Sequence, residues 1–214
     1  NHALDQGPMG GFSPPTGSSS NLEKLLPAWG VNFTANQVVA DLGFALRPRQ
    51  TGESWPTAID VQSDGHNEND PIMGNLGPLS GIHFGAFKRE TATNEKDAPE
   101  LTPLFHSSTN SVLIGTVQTK GLLPLPAFQA SQGDIAKTFT PTEGKNILAL
   151  KLSGPFKTGF PDGDPDKPPV SDDKNGTQPE VPDNALKTVK DGSSPVVILV
   201  GDVDFIHDTN QQVD

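Results

Sequence analysis

Residues 196–208 read VVILVGDVDFIHD, and the fold turns on how this stretch is read. Five aliphatic residues, Val196 to Val200, run unbroken into Gly201 and then Asp202, Asp204 and Asp208. A continuous aliphatic run is how a parallel strand buried on both faces reads, because neither face needs a polar residue. Acids placed directly after it stand where an open α/β sheet meets a ligand or a helix N-terminus. The pattern predicts a central, buried strand at 196–200. After it come HDTNQQVD and no helix to cover a sheet, so the sheet is expected to be incomplete within these 214 residues.

Four other segments outward from this one are β-like. KNILALKLSG (145–154) and NSVLIGTVQTKG (110–121) each carry a short aliphatic run, at Ile147–Leu150 and Val112–Ile114. NQVVADLGFALRP (36–48) reads as one strand or two short ones centred on Val38 and Val39. SGIHFGAFKRE (80–90) sets Ile82, Phe84 and Ala86 against His83, Gly85 and Phe87, the alternation of a half-buried strand. Helical signal is sparse. In SNLEKLLPAWG (20–30), Ser20 and Glu23 have capping-box spacing, and Leu22, Leu25, Leu26 and Trp29 follow a helical stripe that Gly30 ends. Pro27 is expected to shorten or kink this helix, and Trp29 to lie in the core. A second helix is expected near 184–189. These are too few helices for a complete doubly wound domain.

The segments divide the chain into a loop at 1–19, an α/β body at 20–160, and a flexible acidic, proline-rich loop at 161–183. A closing helix and strand follow at 184–214. The expected loop at 161–183 has no hydrophobic period.

Composition limits function more than it names it. Gly and Pro, 22 and 21 of 214 residues, suit a small core with long irregular connections. The formal net charge of −11 argues against a nucleic-acid or anionic-membrane surface, either of which needs clustered Lys and Arg. There is no cysteine, so disulfides, thiolate nucleophiles and Cys-based zinc sites are excluded, as suits a bacterial envelope protein. No apolar run approaches the ~20 residues of a membrane span, and NHALDQGPMGG is not a signal peptide.

Specific chemistry is weakly signalled. Asp162, Asp164, Asp166 and Asp173 fall at calcium-loop positions 1, 3, 5 and 12, but Lys167 occupies the position that needs Gly and Asp173 the position that needs Glu. His2, His66, His83, His106 and His207 show no zinc-pair spacing and are expected at the surface. Neither a nucleophile elbow nor a phosphate loop occurs. No metal, cofactor or catalytic residue is expected. The remaining candidate is GDVDFIHD: Asp202, Asp204 and His207 as a ligand- or partner-binding group at the strand end, with helix capping or loop pinning by the acids as the plainer alternative.

Six stretches, in order, resemble one family. They are LLPAWGVNF with VVAD after it, ESWPTAIDV, NDPIMGNLGPLSGIHFGAF, LTPLFHSSTNS, LALKLSGPFKTGFPDG and VVILVGDVDFIHD. The family is that of auxiliary proteins of uncharacterised ABC transport systems, which includes the gliding-motility-associated component. The chain departs from it at Gly159, where the family tends to show Ala, and in the acidic insert after Phe160. The resemblance implies a flavodoxin-like sheet related to glutamine-amidotransferase-like folds. It also implies a periplasmic or extracytoplasmic domain, anchored in the inner membrane through segments outside these residues, beside a permease and an ATPase. The function it implies is non-catalytic: protein contact or substrate handling next to the permease. A carbohydrate or small-ligand binding domain is the alternative. An amidotransferase-like hydrolase is a second, for which the usual Cys nucleophile is missing.

Overall fold

The structure, a computed structural model, describes residues 22–49, 52–74, 76–90, 98–119, 125–142, 144–160 and 195–202. In chain order the elements are α1 (Leu25–Ala28), β1 (Val31–Phe33), β2 (Gln37–Asp41), β3 (Ala45–Leu46), β4 (Trp55–Val61), β5 (Leu79–Ile82) and β6 (Phe87–Arg89). They continue with β7 (Glu100–His106), β8 (Ser111–Gly115), α2 (Thr116–Thr119), α3 (Leu125–Lys137), β9 (Ile147–Ser153) and β10 (Val196–Val200). The fold is mixed α/β, mostly strands in several sheets with few helices.

β9 is the strand around which the largest sheet forms. Along one edge it pairs with β7, from Glu100 opposite Ser153 to His106 opposite Ile147. On the other it pairs with β10, from Val196 opposite Ser153 to Val200 opposite Ala149, and meets β6 where Phe87 faces Ile147. β1 extends this sheet from β6, while β2–β8 and β3–β4–β5 form two smaller sheets. Neighbours on both edges, with side chains packed above and below, leave Leu148, Ala149, Leu150 and Leu152 fully buried.

The reading of 196–200 as a central, buried parallel strand is corrected here. β10 pairs antiparallel with β9, and Val196 and Ile198 are 53% and 49% exposed. Val197 and Leu199 alternate with them and pack with Leu26, Val31, Phe87, Leu150 and Leu152. β10 is a half-buried strand with one wet face, which an antiparallel pair permits. All seven pairings between described strands are antiparallel, so these strands do not build the parallel neighbours of the expected flavodoxin-like sheet.

The second cluster joins the three sheets. Val39 from β2, Ile59 and Val61 from β4, Phe105 from β7 and Leu148 from β9 meet around Phe84. Phe84 and Phe105 are edge to face at 6.0 Å. The strand expected across 80–90 breaks here into β5 and β6. His83 takes φ +64°, a left-handed conformation that strand pairing cannot include. The break turns Phe84 inward and lets the His83 N–H donate to the Thr57 carbonyl at 2.8 Å.

α1 is shorter than its stripe suggested. Its N-cap is Lys24, without a side-chain cap, and Gly30 at φ +71° ends it after four residues. Pro27 falls inside the first turn, where its missing N–H costs nothing. Trp29 is half-buried rather than core: its ring packs edge-on to Phe156 at 4.9 Å and its Nε1–H donates to the Lys157 carbonyl. β4, β7 and α3 were not anticipated. Pro56 lies in β4 ahead of its pairing with β5, and Pro103 marks a register shift in β7, so proline masked both strands. The calcium-loop residues, the expected loop at 161–183 and the expected helix at 184–189 lie outside the described residues.

Candidate functional site

The end of β10 is the first place to look. The Gly201 N–H donates to Leu148 O at 2.9 Å, and Gly201 O accepts from Gly85 N–H at 2.8 Å. A Cβ on Gly201 would strike the Gly85 carbonyl, so glycine is required by this crossing. Asp202 follows at 6% exposure, and its Oδ2 accepts from the Ile82 N–H at 3.3 Å. This carboxylate ties the end of β10 to β5. Asp204 and His207 lie outside the described residues.

Two further acids are spent on the framework. Asp41 is fully buried at the end of β2. Its Oδ1 accepts from Gly43 N–H (2.7 Å), Phe44 N–H (3.1 Å) and Ser108 Oγ (2.6 Å), and its Oδ2 from Ser108 N–H (2.6 Å). Four donors supply what water would have given the charge, which is what makes its burial tolerable. Nearby, the Ser107 and Ser111 hydroxyls bond each other at 2.8 Å, and Asn146 donates to both, through its N–H and its side-chain amide. Asp70 is buried with its Oδ2 on the Lys151 ammonium of β9, while its Oδ1 accepts from Ile72 N–H at 3.0 Å. The hydrogen bond from Lys151, and after it the backbone donor, hold the Asp70 carboxyl below its ordinary 3.8 against the opposing effect of burial.

The histidines contribute no metal centre. His66 and His106 line a shallow hollow of about 440 Å³ with Asp64 and Glu68. Among the described residues no group of three or more His, Asp or Glu is placed to hold a metal ion. His66, His83 and His106 are half-buried, not the surface residues expected, because each lies at a strand end or crossing. The His83 ring meets Phe128 edge-on at 5.9 Å. His2 and His207 lie outside the described residues.

α3 provides the surface that the sequence reading missed. Phe128, Ser131, Gln132 and Ile135 recur at i, i+3, i+4 and i+7 and are all buried. Half of that stripe is polar and Gly133 interrupts it, so its apolar signal is weak. Pro126 sits in the first turn, where it is tolerated, and Lys137 in the last, where it complements the helix dipole. Polar contacts dock the helix. Gln132 Oε1 accepts from the N–H and hydroxyl of Thr57 at 3.0 and 2.9 Å, and the Ser131 hydroxyl donates to the Thr119 carbonyl of α2. Trp55 lies edge-on to Phe128 at 5.4 Å.

On its other flank α3 does not close against β8. A groove of about 420 Å³ remains, walled by Val112 and Ile114 of β8, Ile135 of α3 and Phe139. Asp134, exposed on α3, stands at its mouth. That volume falls within the ordinary range of ligand and peptide pockets, and its walls are largely apolar.

Residues 22–202, where described, thus form an α/β domain with a structural polar interior and an open groove between a strand edge and a helix. The chain belongs to the family described as ABC-type uncharacterized transport system (ABC_transp_aux), whose model matches residues 2–214. The family name makes it an auxiliary component of an ABC transport system, for which ABC transporter subunits are plausible partners. No curated protein and no solved structure was found to match the chain.

Proposed function

We propose that this chain is a non-catalytic, extracytoplasmic domain of the auxiliary subunit, which contacts the permease and ATPase assembly or handles its substrate beside the permease. The family match over residues 2–214 carries this reading. Its non-catalytic part is supported by how the buried acids are used. Asp41 and Asp70 are engaged by fixed donors, and Asp202 is bonded to β5. A general base must be within reach of a substrate proton, and these carboxylates face the protein's own backbone and side-chain donors instead. The ground for an extracytoplasmic, membrane-anchored location is the resemblance of the six ordered segments to the family, and a chain of 214 residues without cysteine suits an envelope protein. The six ordered segments are also the ground for proposing a place in the gliding-motility-associated branch.

The test is purification of the tagged full-length protein from gently solubilised native membranes, with protease accessibility in spheroplasts. Recovery of a permease and an ATPase in constant ratio, with cleavage from the outer side, is the expected result. Recovery of neither, or protection until the cells are lysed, would overturn the reading.

A further inference from the structure

We propose that the groove between β8 and α3 docks an extended peptide segment of a partner protein, which adds to the edge of β8 at Leu113, unpaired there among the described residues, and presents a Lys or Arg to Asp134. The inference deepens the contact role proposed above and rests on it.

The backbone of β8 carries the first half of the argument. Its pairing with β2 sets Val38 opposite Ile114 and Ala40 opposite Val112. Leu42 N–H donates to Asn110 O, and Thr116 N–H to Asn36 O, so the even-numbered positions of this stretch turn their backbone groups toward β2. In an antiparallel pair the alternate residues then face the other edge. These are Ser111, Leu113 and Gly115. Ser111 O accepts from Thr142 N–H at 2.9 Å, an isolated antiparallel bridge. Gly115 N–H is taken by Gln118 Oε1 at 3.1 Å. Between them the N–H and C=O of Leu113 point outward with no partner among the described residues. The chain's own Thr142 makes a single rung of a third strand; the antiparallel register would next set Thr140 opposite Leu113, and no bridge forms there. An incoming strand at Leu113 continues that ladder, the mode by which open sheet edges bind extended peptides.

The side chains carry the second half. Leu113 packs toward the core, so Val112 and Ile114 lie on the opposite face, toward the groove. An added strand places alternate side chains on that same face, over Ile135 and Phe139. Three of the groove's polar groups are already in use: the Ser131 hydroxyl, Gln118 Oε1 and the Thr138 hydroxyl, which donates to Asp134 O. The Asp134 carboxylate is exposed and has no hydrogen bond or ion pair among the described residues. An unpaired acid at the rim, on a chain with net charge −11, selects a basic residue next to the apolar one.

The experiment is an amide-resolved NMR titration of the 214-residue chain. The probes are a capped pentapeptide, Thr-Val-Lys-Val-Thr, and its twin with Glu at the centre. Saturable shifts at Leu113, Ile114 and Asp134, slowed exchange of the Leu113 amide, and several-fold weaker binding of the acidic twin are expected. Asp134→Lys lies on an exposed helix face, so its fold is checked by an unchanged melting curve, and it should weaken the basic peptide several-fold. Shifts mapping elsewhere, no binding of either peptide, or equal binding by Asp134→Lys would each overturn the proposal. Failure here with the permease and ATPase still co-purifying would leave the contact role standing and remove this groove from it. Peptide binding without co-purification would leave the groove and remove the transport setting.

Discussion

β9 and β10 lie side by side with nearly the same aliphatic content, and they end in opposite environments. ILALKLS is buried through Leu148, Ala149, Leu150 and Leu152, whereas VVILV leaves Val196 and Ile198 about half exposed. The run without a polar residue is the wetter strand, and the run containing Lys151 is the central one. Occupancy of the edges makes the difference. β9 has β7 along one edge and β10 with β6 along the other, while β10, among the described residues, has β9 alone. Lys151 is accommodated in the central strand because Asp70 meets its ammonium on the face that Ile198 shares across the ladder. An aliphatic run therefore shows that a strand can be buried, and its neighbours decide whether it is.

The contrast is broken most severely at the centre. Leu150→Asp puts an unpaired carboxylate between two covered faces and is expected to cost more than about 5 kcal/mol, enough to unfold the domain. A cooperative urea transition at the wild-type midpoint would show that β9 is not the central strand.

Next comes the ion pair. Lys151→Met leaves the Asp70 carboxylate buried without its cation and should cost about 3 kcal/mol at neutral pH. The sign with pH follows from the lowered Asp70 carboxyl. Its contribution is complete above its ordinary 3.8 and is lost as pH falls through the lower value it has in the fold. The stability gap between wild type and Lys151→Met should therefore narrow on acidification below 3.8. A gap that stays constant from neutral pH into that range would remove the pair from the account.

Smaller effects belong to β10, and its two faces should differ. Val197→Asp, on the face packed with Leu150 and Leu152, is expected to lose about 2 kcal/mol. Ile198→Thr, one residue on and facing solvent, should stay within about 0.5 kcal/mol. Equal losses at the two positions, measured by the same denaturant titration, would mean that the outward face of β10 is covered after all.

Much of the strand content was legible. The runs at 112–114 and 147–150 became β8 and β9, and 36–48 resolved into β2 and β3. What failed did so for physical reasons. Proline in β4 and β7 argued against strands that tolerate it where a position is unpaired or the register shifts. His83 broke an apparent strand by one backbone conformation that alternation does not encode. α3 was obscured because Ser131 and Gln132 stand where its buried stripe would carry aliphatic residues. Of the candidate site, Asp202 was legible as a notable acid, but its bond to Ile82 at the end of β5 was not, because that partner lies 120 residues away.

By itself the amino-acid sequence determined the mixed α/β class, the absence of thiol chemistry, the acidic character and, through six ordered segments, the family. Those follow from residue type and local order along the chain. Tertiary structure alone decided which aliphatic run is central, that the sheets pair antiparallel, that Asp41 is caged by a turn 67 residues away, and that a groove opens beside β8. Each of these depends on which edges and faces meet across long sequence separations. Burial and pairing are properties of neighbours, and a single strand's residues do not name them.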